Sequence, residues 1–89
     1  MKKILTVCGL GQGTSLILKM NVEQAYTDQG ARVDVENTDL SAASGMRADY
    51  IFTSRELADS LKDHPAEVIV VNNFFDMDEI TSAVSNTIS

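Results

Sequence analysis

The sequence predicts an α/β fold: a three-layer, four-stranded parallel sheet, in the order 2-1-3-4, with helices on both faces. Four short apolar runs alternate with longer amphipathic segments along the 89 residues, and this alternation is typical of βαβ units. The length allows a single domain, residues 1–89, with one core. Right-handed crossovers leave few topologies for four strands, and the order 2-1-3-4 reverses the winding between strands 1 and 3.

The first strand and helix place the expected site. Residues 3–7 are predicted to be a strand, and Thr14 or Ser15 is expected to cap a helix that runs to about Gln29. Gly30 lies where a glycine commonly ends a helix. Spacing of i, i+4, i+7 and i+8 predicts the inner face of this helix: Leu18, Val22, Ala25 and Tyr26.

The middle of the chain predicts two further strands and a short helix between them. Polar and apolar residues alternate over 32–37, which indicates a half-buried strand at an edge of the sheet. A short helix is expected over 39–44, ended by Gly45, and residues 49–53 are predicted to be the third strand.

The next helix is predicted from a capping box. Thr53 and Glu56 have the spacing of an N-cap and its partner at the third helical position. The helix is expected to reach about Lys62, because the His64–Pro65 pair disfavours helix there.

The last strand and helix complete the pattern. Residues 67–71 are predicted to be a fully buried strand, and Asp76 and Glu79 again have capping spacing. This spacing predicts the start of a helix whose apolar positions are Ile80, Val84 and Ile88. The whole pattern indicates a Rossmann-like, flavodoxin-like arrangement, in which ligands bind at the carboxyl ends of the strands where the winding reverses.

Composition and charge exclude several classes of function. The formal net charge is −6, which argues against nucleic acid as a partner, because phosphate binding needs a basic patch. Residues 1–22 carry three lysines and no carboxylate, so any phosphate-handling segment is expected there. One cysteine allows no internal disulfide, and no apolar run is long enough to span a membrane. A cytoplasmic protein with a reduced thiol is expected, and no cluster has metal-ligand spacing.

The segment from Cys8 to Ser15 carries the chemistry. It reads Cys8, Gly9, Leu10, Gly11, Gln12, Gly13, Thr14 and Ser15, and it joins the first strand to the first helix. Successive N–H groups at a helix N-terminus form an anion site, and the same position favours a thiolate. Two plainer interpretations are a small buried cysteine and a tight glycine-rich turn.

Known phosphate motifs do not fit this segment. A P-loop needs a Gly-Lys-Ser/Thr run, a dinucleotide fingerprint needs glycine at position 14, and a cysteine phosphatase needs arginine there, but position 14 is Thr14. The Asp-Pro acid of small phosphatases is also missing, since Pro65 follows His64. A cysteinyl phosphate formed here should therefore persist. A small cysteine phosphatase or arsenate reductase, and a non-catalytic anion-binding regulatory module, are the alternative functions.

The segment resembles the phosphorylation loop of enzyme IIB of the bacterial sugar phosphotransferase system. The similarity is greatest to the ascorbate branch, and the galactitol and lactose/cellobiose branches are more distant. It extends to residues 16–22 and to residues 48–54, which resemble the first helix and third strand of that branch.

This resemblance implies a mechanism without cofactor or metal. Cys8 would accept a phosphoryl group from a phosphohistidine of enzyme IIA and pass it to a sugar presented by membrane enzyme IIC. The phosphate would be held by the N–H groups and hydroxyls of the rest of the loop, which are Gly9, Leu10, Gly11, Gln12, Gly13, Thr14 and Ser15. Positioning and N–H electrostatics would supply most of the catalysis.

Other residues are assigned structural roles first. His64 is expected to be an exposed turn residue, and Arg55 a solvated residue at the start of a helix. Asn72 and Asn73 are expected in a turn. Phe74 and Phe75 are expected in the core, with a docking surface as the alternative.

Overall fold

The computed structural model describes residues 1–7 and 12–88, with the side chains of the first helix described from Leu16 onward. Within these residues, four strands and four helices alternate. The strands are β1 (Lys2–Val7), β2 (Val33–Thr38), β3 (Tyr50–Thr53) and β4 (Glu67–Val70). The helices are α1 (Gln12–Asp28), α2 (Leu40–Ala43), α3 (Arg55–Ala58), which a 3₁₀ turn over Asp59–Leu61 follows, and α4 (Met77–Ile88).

The strands form one parallel sheet in the order β2-β1-β3-β4, which confirms the predicted topology. Val7 pairs with Thr38 on one side and with Thr53 on the other, and Thr53 pairs with Val70. All four strands therefore end at the same level. We call this the carboxyl end of the sheet.

Helices cover both faces of the sheet, each over its own apolar cluster. Ile4 and Phe52 point to the face that α1 and α4 cover, where the predicted inner residues of α1 are all buried. Leu5 and Ile51 point to the opposite face, towards α2 and the segment that follows β3. This arrangement follows from the alternation of side chains along each strand.

Helix α1 begins earlier than predicted. It starts at Gln12, so Thr14 and Ser15 lie inside its first turn and are not the N-cap. Its end is as expected: Gly30 has a φ of 76°, in the left-handed region that glycine adopts without strain.

The prediction of a fully buried last strand is wrong. β4 is an edge strand, in which Glu67 and Val70 are exposed and Val68 and Ile69 are partly buried. A continuous apolar run is typical of a strand covered on both faces. It does not indicate whether the strand has neighbouring strands on both of its sides or on one side only. Among the described residues, one side of β4 therefore has no neighbouring strand.

The capping box predicted at Thr53 is also wrong. Thr53 is the last residue of β3, and the N-cap of α3 is Ser54, whose side chain makes no capping hydrogen bond. The other predicted cap is confirmed in part. Asp76 Oδ1 accepts from the N–H groups of Asp78 and Glu79, but the Glu79 carboxylate bonds elsewhere.

Candidate functional site

The predicted site lies between the end of β1 and the start of α1. Gln12, Gly13, Thr14 and Ser15 form the first turn of α1. The backbone N–H groups of a first helical turn have no partner within the helix. Cys8, Gly9, Leu10 and Gly11 lie outside the described residues. Of the predicted segment, the structure therefore describes only the backbone of its helical part, residues 12–15.

The N-terminus of α1 favours an anion. A helix carries about +0.5 elementary charge at this end, and the first turn of α1 contains no acidic residue. The winding of the chain also reverses between β1 and β3. In such sheets the crevice at the carboxyl ends of the two strands is the usual ligand site. Topology and local charge therefore favour the same place for a phosphate.

A hydrogen bond connects the carboxyl ends of β1 and β3, at the same end of the sheet as the N-terminus of α1. The Thr53 hydroxyl donates to the Val7 carbonyl over 2.8 Å, and this hydrogen bond is buried. Val71 N–H donates in turn to the Thr53 carbonyl over 2.9 Å. Three neighbouring strand ends are thereby held together where the chain leaves β1.

Polar groups after β4 form a network at the same end. Arg55 Nη2 donates to Asn72 Oδ1 over 3.2 Å. Glu79, in the first turn of α4, accepts from the N–H of Asn72 over 2.7 Å and from the N–H of Asn73 over 3.0 Å. The network holds the turn before α4, as expected for the two asparagines. It also gives Arg55 a partner that the sequence did not predict.

The two phenylalanines that follow β4 differ in their exposure to solvent. Phe74 is buried, and its carbonyl accepts from Asn21 Nδ2 over 2.8 Å, which ties this turn to α1. Phe75 is 68% exposed. The default expectation of core packing is confirmed for Phe74 and is wrong for Phe75, because only one of two consecutive side chains faces the core.

The lysines of the first 22 residues do not contribute charge to this site. Lys2 and Lys3 start β1, at the end of the sheet opposite to the N-terminus of α1. Lys3 Nζ pairs with Asp34 Oδ2 at 3.1 Å and with Glu36 Oε1 at 2.8 Å. The hydrogen bond to Glu36 is the main cause that raises the pKa of Lys3 above its ordinary value. Burial lowers this pKa, and the hydrogen bond to Asp34 raises it further.

Lys19, on α1, pairs with Glu23 at 3.7 Å, four residues further along the helix. Lys3 and Lys19, two of the three lysines in residues 1–22, are therefore paired with carboxylates.

His64 is not the exposed turn residue that was expected. It is partly buried, and its Nδ1 accepts from Ala66 N–H over 3.0 Å. The ring proton is therefore assigned to Nε2, which lies 3.0 Å from the carbonyl of Ala43 and 2.9 Å from that of Met46. The ring joins the turn after α2 to the turn before β4. Two turns distant in sequence meet here, so local composition could not indicate the contact.

The described residues hold neither a metal-binding cluster nor a membrane-spanning helix. Among residues 1–7 and 12–88, no group of three or more histidines, cysteines or carboxylates could hold a metal ion. Within the same residues, no helix has the length and apolar character needed to cross a membrane.

Comparisons with known proteins agree with one another. The model of the family described as "PTS system, Lactose/Cellobiose specific IIB subunit" matches residues 3–86. The ascorbate-specific PTS system EIIB component of Mycoplasma pneumoniae is 32% identical over 88 residues, which cover 96% of this chain and 93% of that protein.

A solved structure supports the fold. The lactose-specific IIB component domain of the phosphoenolpyruvate:carbohydrate phosphotransferase system of Streptococcus pneumoniae aligns with a TM-score of 0.67 and 16% identity, over 97% of this chain and 93% of that one. Because the family match spans nearly the whole chain, the chain belongs to the lactose/cellobiose-specific IIB family of the sugar phosphotransferase system and is a phosphotransferase component of that system.

Proposed function

We propose that this protein is a phosphoryl carrier that uses Cys8 as its nucleophile. One observation carries the proposal: the only cysteine of the chain follows β1 directly and precedes the acid-free first turn of α1 by a few residues. N–H groups that bind phosphate also favour the thiolate, because both are anions at a helix N-terminus.

The donor is a phosphohistidine of enzyme IIA. The Cys8 thiolate attacks phosphorus in line, the S–P bond forms, and the P–N bond breaks with its electron pair returning to the imidazole. Gly9, Leu10, Gly11, Gln12, Gly13, Thr14 and Ser15 hold the phosphoryl oxygens. Charge spread over three oxygens is stabilised by N–H groups that are already oriented.

The acceptor is a hydroxyl of a sugar bound by membrane enzyme IIC. The hydroxyl oxygen attacks phosphorus, the S–P bond breaks to regenerate the thiolate, and the hydroxyl proton is released. Neither step uses a cofactor or metal. We propose an ascorbate-like sugar, because the relative from Mycoplasma pneumoniae with 32% identity is named ascorbate-specific. We also propose that residues 1–89 act as one cytoplasmic domain.

Exposed apolar side chains near the site support docking of a protein partner. Leu16 is 50% exposed and Met20 60% exposed, one turn apart on α1, and Phe75 is exposed in the turn that precedes α4. Asn21 of α1 bonds the carbonyl of Phe74, so both segments belong to one side of the molecule. Enzyme IIA docks over this surface, which we call the α1–α4 rim, defined by Leu16, Met20 and Phe75.

Phosphoryl transfer from radiolabelled enzyme IIA tests the proposal. Wild type should take up one phosphoryl group with the lability of a thiophosphate, and Cys8→Ala and Cys8→Ser should take up none. The His64→Ala variant, which contains no histidine, should still be labelled. Labelling of Cys8→Ala would overturn the proposal.

The alternative functions predict other outcomes. Turnover of an aryl phosphate that Cys8→Ala abolishes would indicate a cysteine phosphatase. Phosphate binding that survives Cys8→Ala, without transfer, would indicate a regulatory module. With membranes containing enzyme IIC, transfer to ascorbate rather than to lactose, cellobiose or galactitol would support the proposed sugar.

A further inference from the structure

Arg55 is the only cationic side chain in the segments that follow the four strands. These segments are residues 8–15, 39–42, 54–57 and 71–79, and each begins directly after the last residue of a strand. Ligands of such sheets bind at the carboxyl ends of the strands. Arg55 is therefore the one positive side chain that these connections supply to the end of the sheet where a phosphorylated partner is expected.

The other six lysines and arginines of the chain belong to other parts of the fold. Lys2 and Lys3 lie at the amino end of β1, and Lys19 pairs with Glu23 on α1. The remaining three are in segments that lead into the amino ends of β2, β3 and β4, and they are Arg32, Arg47 and Lys62. Positive charge at the carboxyl end therefore cannot be supplied from these segments.

The guanidinium of Arg55 is oriented without being neutralised. Arg55 is exposed, and its Nη2 donates to Asn72 Oδ1 over 3.2 Å. The Asn72 amide is itself fixed, because its Nδ2 donates to Glu79 Oε2 over 3.2 Å. Among the described residues, no carboxylate forms an ion pair with Arg55. A guanidinium carries several N–H donors in a planar fork, so donors remain for an anion from outside the chain.

Carboxylates outnumber this cation in the same four segments. They are Asp39, Glu56, Asp76, Asp78 and Glu79. Three of them accept hydrogen bonds from backbone N–H groups and so hold turns and helix starts: Asp39, Asp76 and Glu79. Such surroundings repel an approaching anion, and Arg55 is the one side chain among them that attracts it. Loss of this single charge should therefore affect an anionic partner strongly.

We propose that Arg55 makes this protein bind the phosphorylated form of enzyme IIA in preference to the unphosphorylated form. The inference rests on the proposed function. In the docked complex, the guanidinium pairs with the phosphoryl oxygens of the donor. A phosphoryl group carries about two negative charges, and the arginine fork can bind two of its oxygens at once. Asn72, the partner of Arg55, lies in the same turn as Phe75, so Arg55 borders the α1–α4 rim.

The test measures binding in a Cys8→Ala background, where the proposed transfer cannot occur and the phosphorylated complex persists. Calorimetry at low salt gives Kd for phosphorylated and for unphosphorylated enzyme IIA, with and without Arg55→Gln. We expect Arg55→Gln to raise Kd for the phosphorylated form about five- to tenfold. Kd for the unphosphorylated form should stay within about twofold. Arg55→Lys keeps the charge but not the fork, so its loss should be intermediate.

Arg47→Gln is the matched control. It removes the same charge from an exposed arginine that precedes β3, at the other end of the sheet, and should change neither Kd. Melting temperatures should stay near that of Cys8→Ala, because both arginines are exposed. An equal loss of affinity for both forms of enzyme IIA would overturn the inference. So would an unchanged Kd in Arg55→Gln, or an equal loss in Arg47→Gln.

Salt supplies a second readout. The preference for the phosphorylated form should shrink as salt rises from about 50 mM to about 500 mM, because ions screen the attraction. A preference that salt leaves unchanged would also overturn the inference.

The proposed function and this inference fail in different experiments. If wild type accepts no phosphoryl group from enzyme IIA, the proposed function fails. The binding measurement requires no transfer. If the Cys8→Ala protein binds both forms of enzyme IIA equally, or binds neither, the inference fails by itself.

Discussion

The hydroxyl of Thr53, the last residue of β3, donates to the carbonyl of Val7, the last residue of β1, over 2.8 Å. The contact is buried and joins residues that are 46 positions apart in sequence. It fixes the two central strands to each other where the winding of the chain reverses. The segment that carries Cys8 therefore leaves from a rigid strand end.

Replacing Thr53 with valine removes this hydrogen bond at nearly constant volume. We expect the free energy of unfolding to fall by about 1–2 kcal/mol, because the buried carbonyl of Val7 loses a donor. Urea denaturation with an unchanged m-value measures the loss. Thr81→Val, at a partly buried position on α4, is the control and should change stability little. Equal stability of wild type and Thr53→Val would contradict the prediction.

His64→Ala separates a structural histidine from a phosphoryl-accepting one. The ring bonds Ala66 N–H and faces the carbonyls of Ala43 and Met46, near the residue where β4 begins. We expect a loss of about 1–3 kcal/mol in the free energy of unfolding, because buried backbone groups lose partners.

Labelling at Cys8 should persist in His64→Ala, because His64 lies at the opposite end of β4 from the candidate site. The exposed neighbour Lys62 offers the matched control, Lys62→Ala, which should change neither quantity. A labelling defect in folded His64→Ala would assign His64 to the transfer reaction instead.

Stability should fall in alkaline solution. Burial raises the pKa of Tyr26 above its ordinary value of 10.0, and the hydrogen bond to Glu36 is the main cause that raises the pKa of Lys3 above 10.5. Each group keeps its proton to higher pH in the folded chain than in the unfolded chain. The free energy of unfolding therefore decreases as pH rises from these ordinary values through the folded pKa values.

The Tyr26→Phe variant isolates one of these contributions. It removes the ionisable group, so the decrease in stability above about pH 10 should be less steep than in wild type. Urea denaturation between about pH 8 and about pH 11 measures both slopes, and tyrosinate absorbance follows the titration directly. Parallel slopes in the two proteins would show that Tyr26 does not contribute.

Phe75→Ser tests the α1–α4 rim as the docking surface of enzyme IIA. Because Phe75 is 68% exposed, stability should stay within about 0.5 kcal/mol of wild type. KM for phosphorylated enzyme IIA should rise about tenfold or more if the ring is buried against the partner. Ile88→Ser removes another exposed apolar side chain, 44% exposed at the far end of α4, and should leave KM unchanged. Similar KM values for both variants would argue against the surface.

Local patterns in the chain already determine the order of elements, the sheet topology and the family. Alternating apolar and amphipathic runs, together with right-handed crossovers, predict the order 2-1-3-4 that the structure shows. The residues from Cys8 to Ser15 predict a phosphotransferase of the IIB type, and the family match agrees. These features depend on residues close in sequence, so the sequence carries them directly.

Contacts between distant residues needed the tertiary structure. Thr53 has the spacing of a helix cap and instead bonds Val7, and the apolar run of β4 lies at an edge. Two of the three lysines that seemed available for phosphate, Lys2 and Lys3, stand at the amino end of β1, where Lys3 pairs with carboxylates of β2. Hydrogen-bond partners, edge positions and charge pairing depend on which strands and turns become neighbours. Spacing along the chain does not contain that information until the sheet has formed.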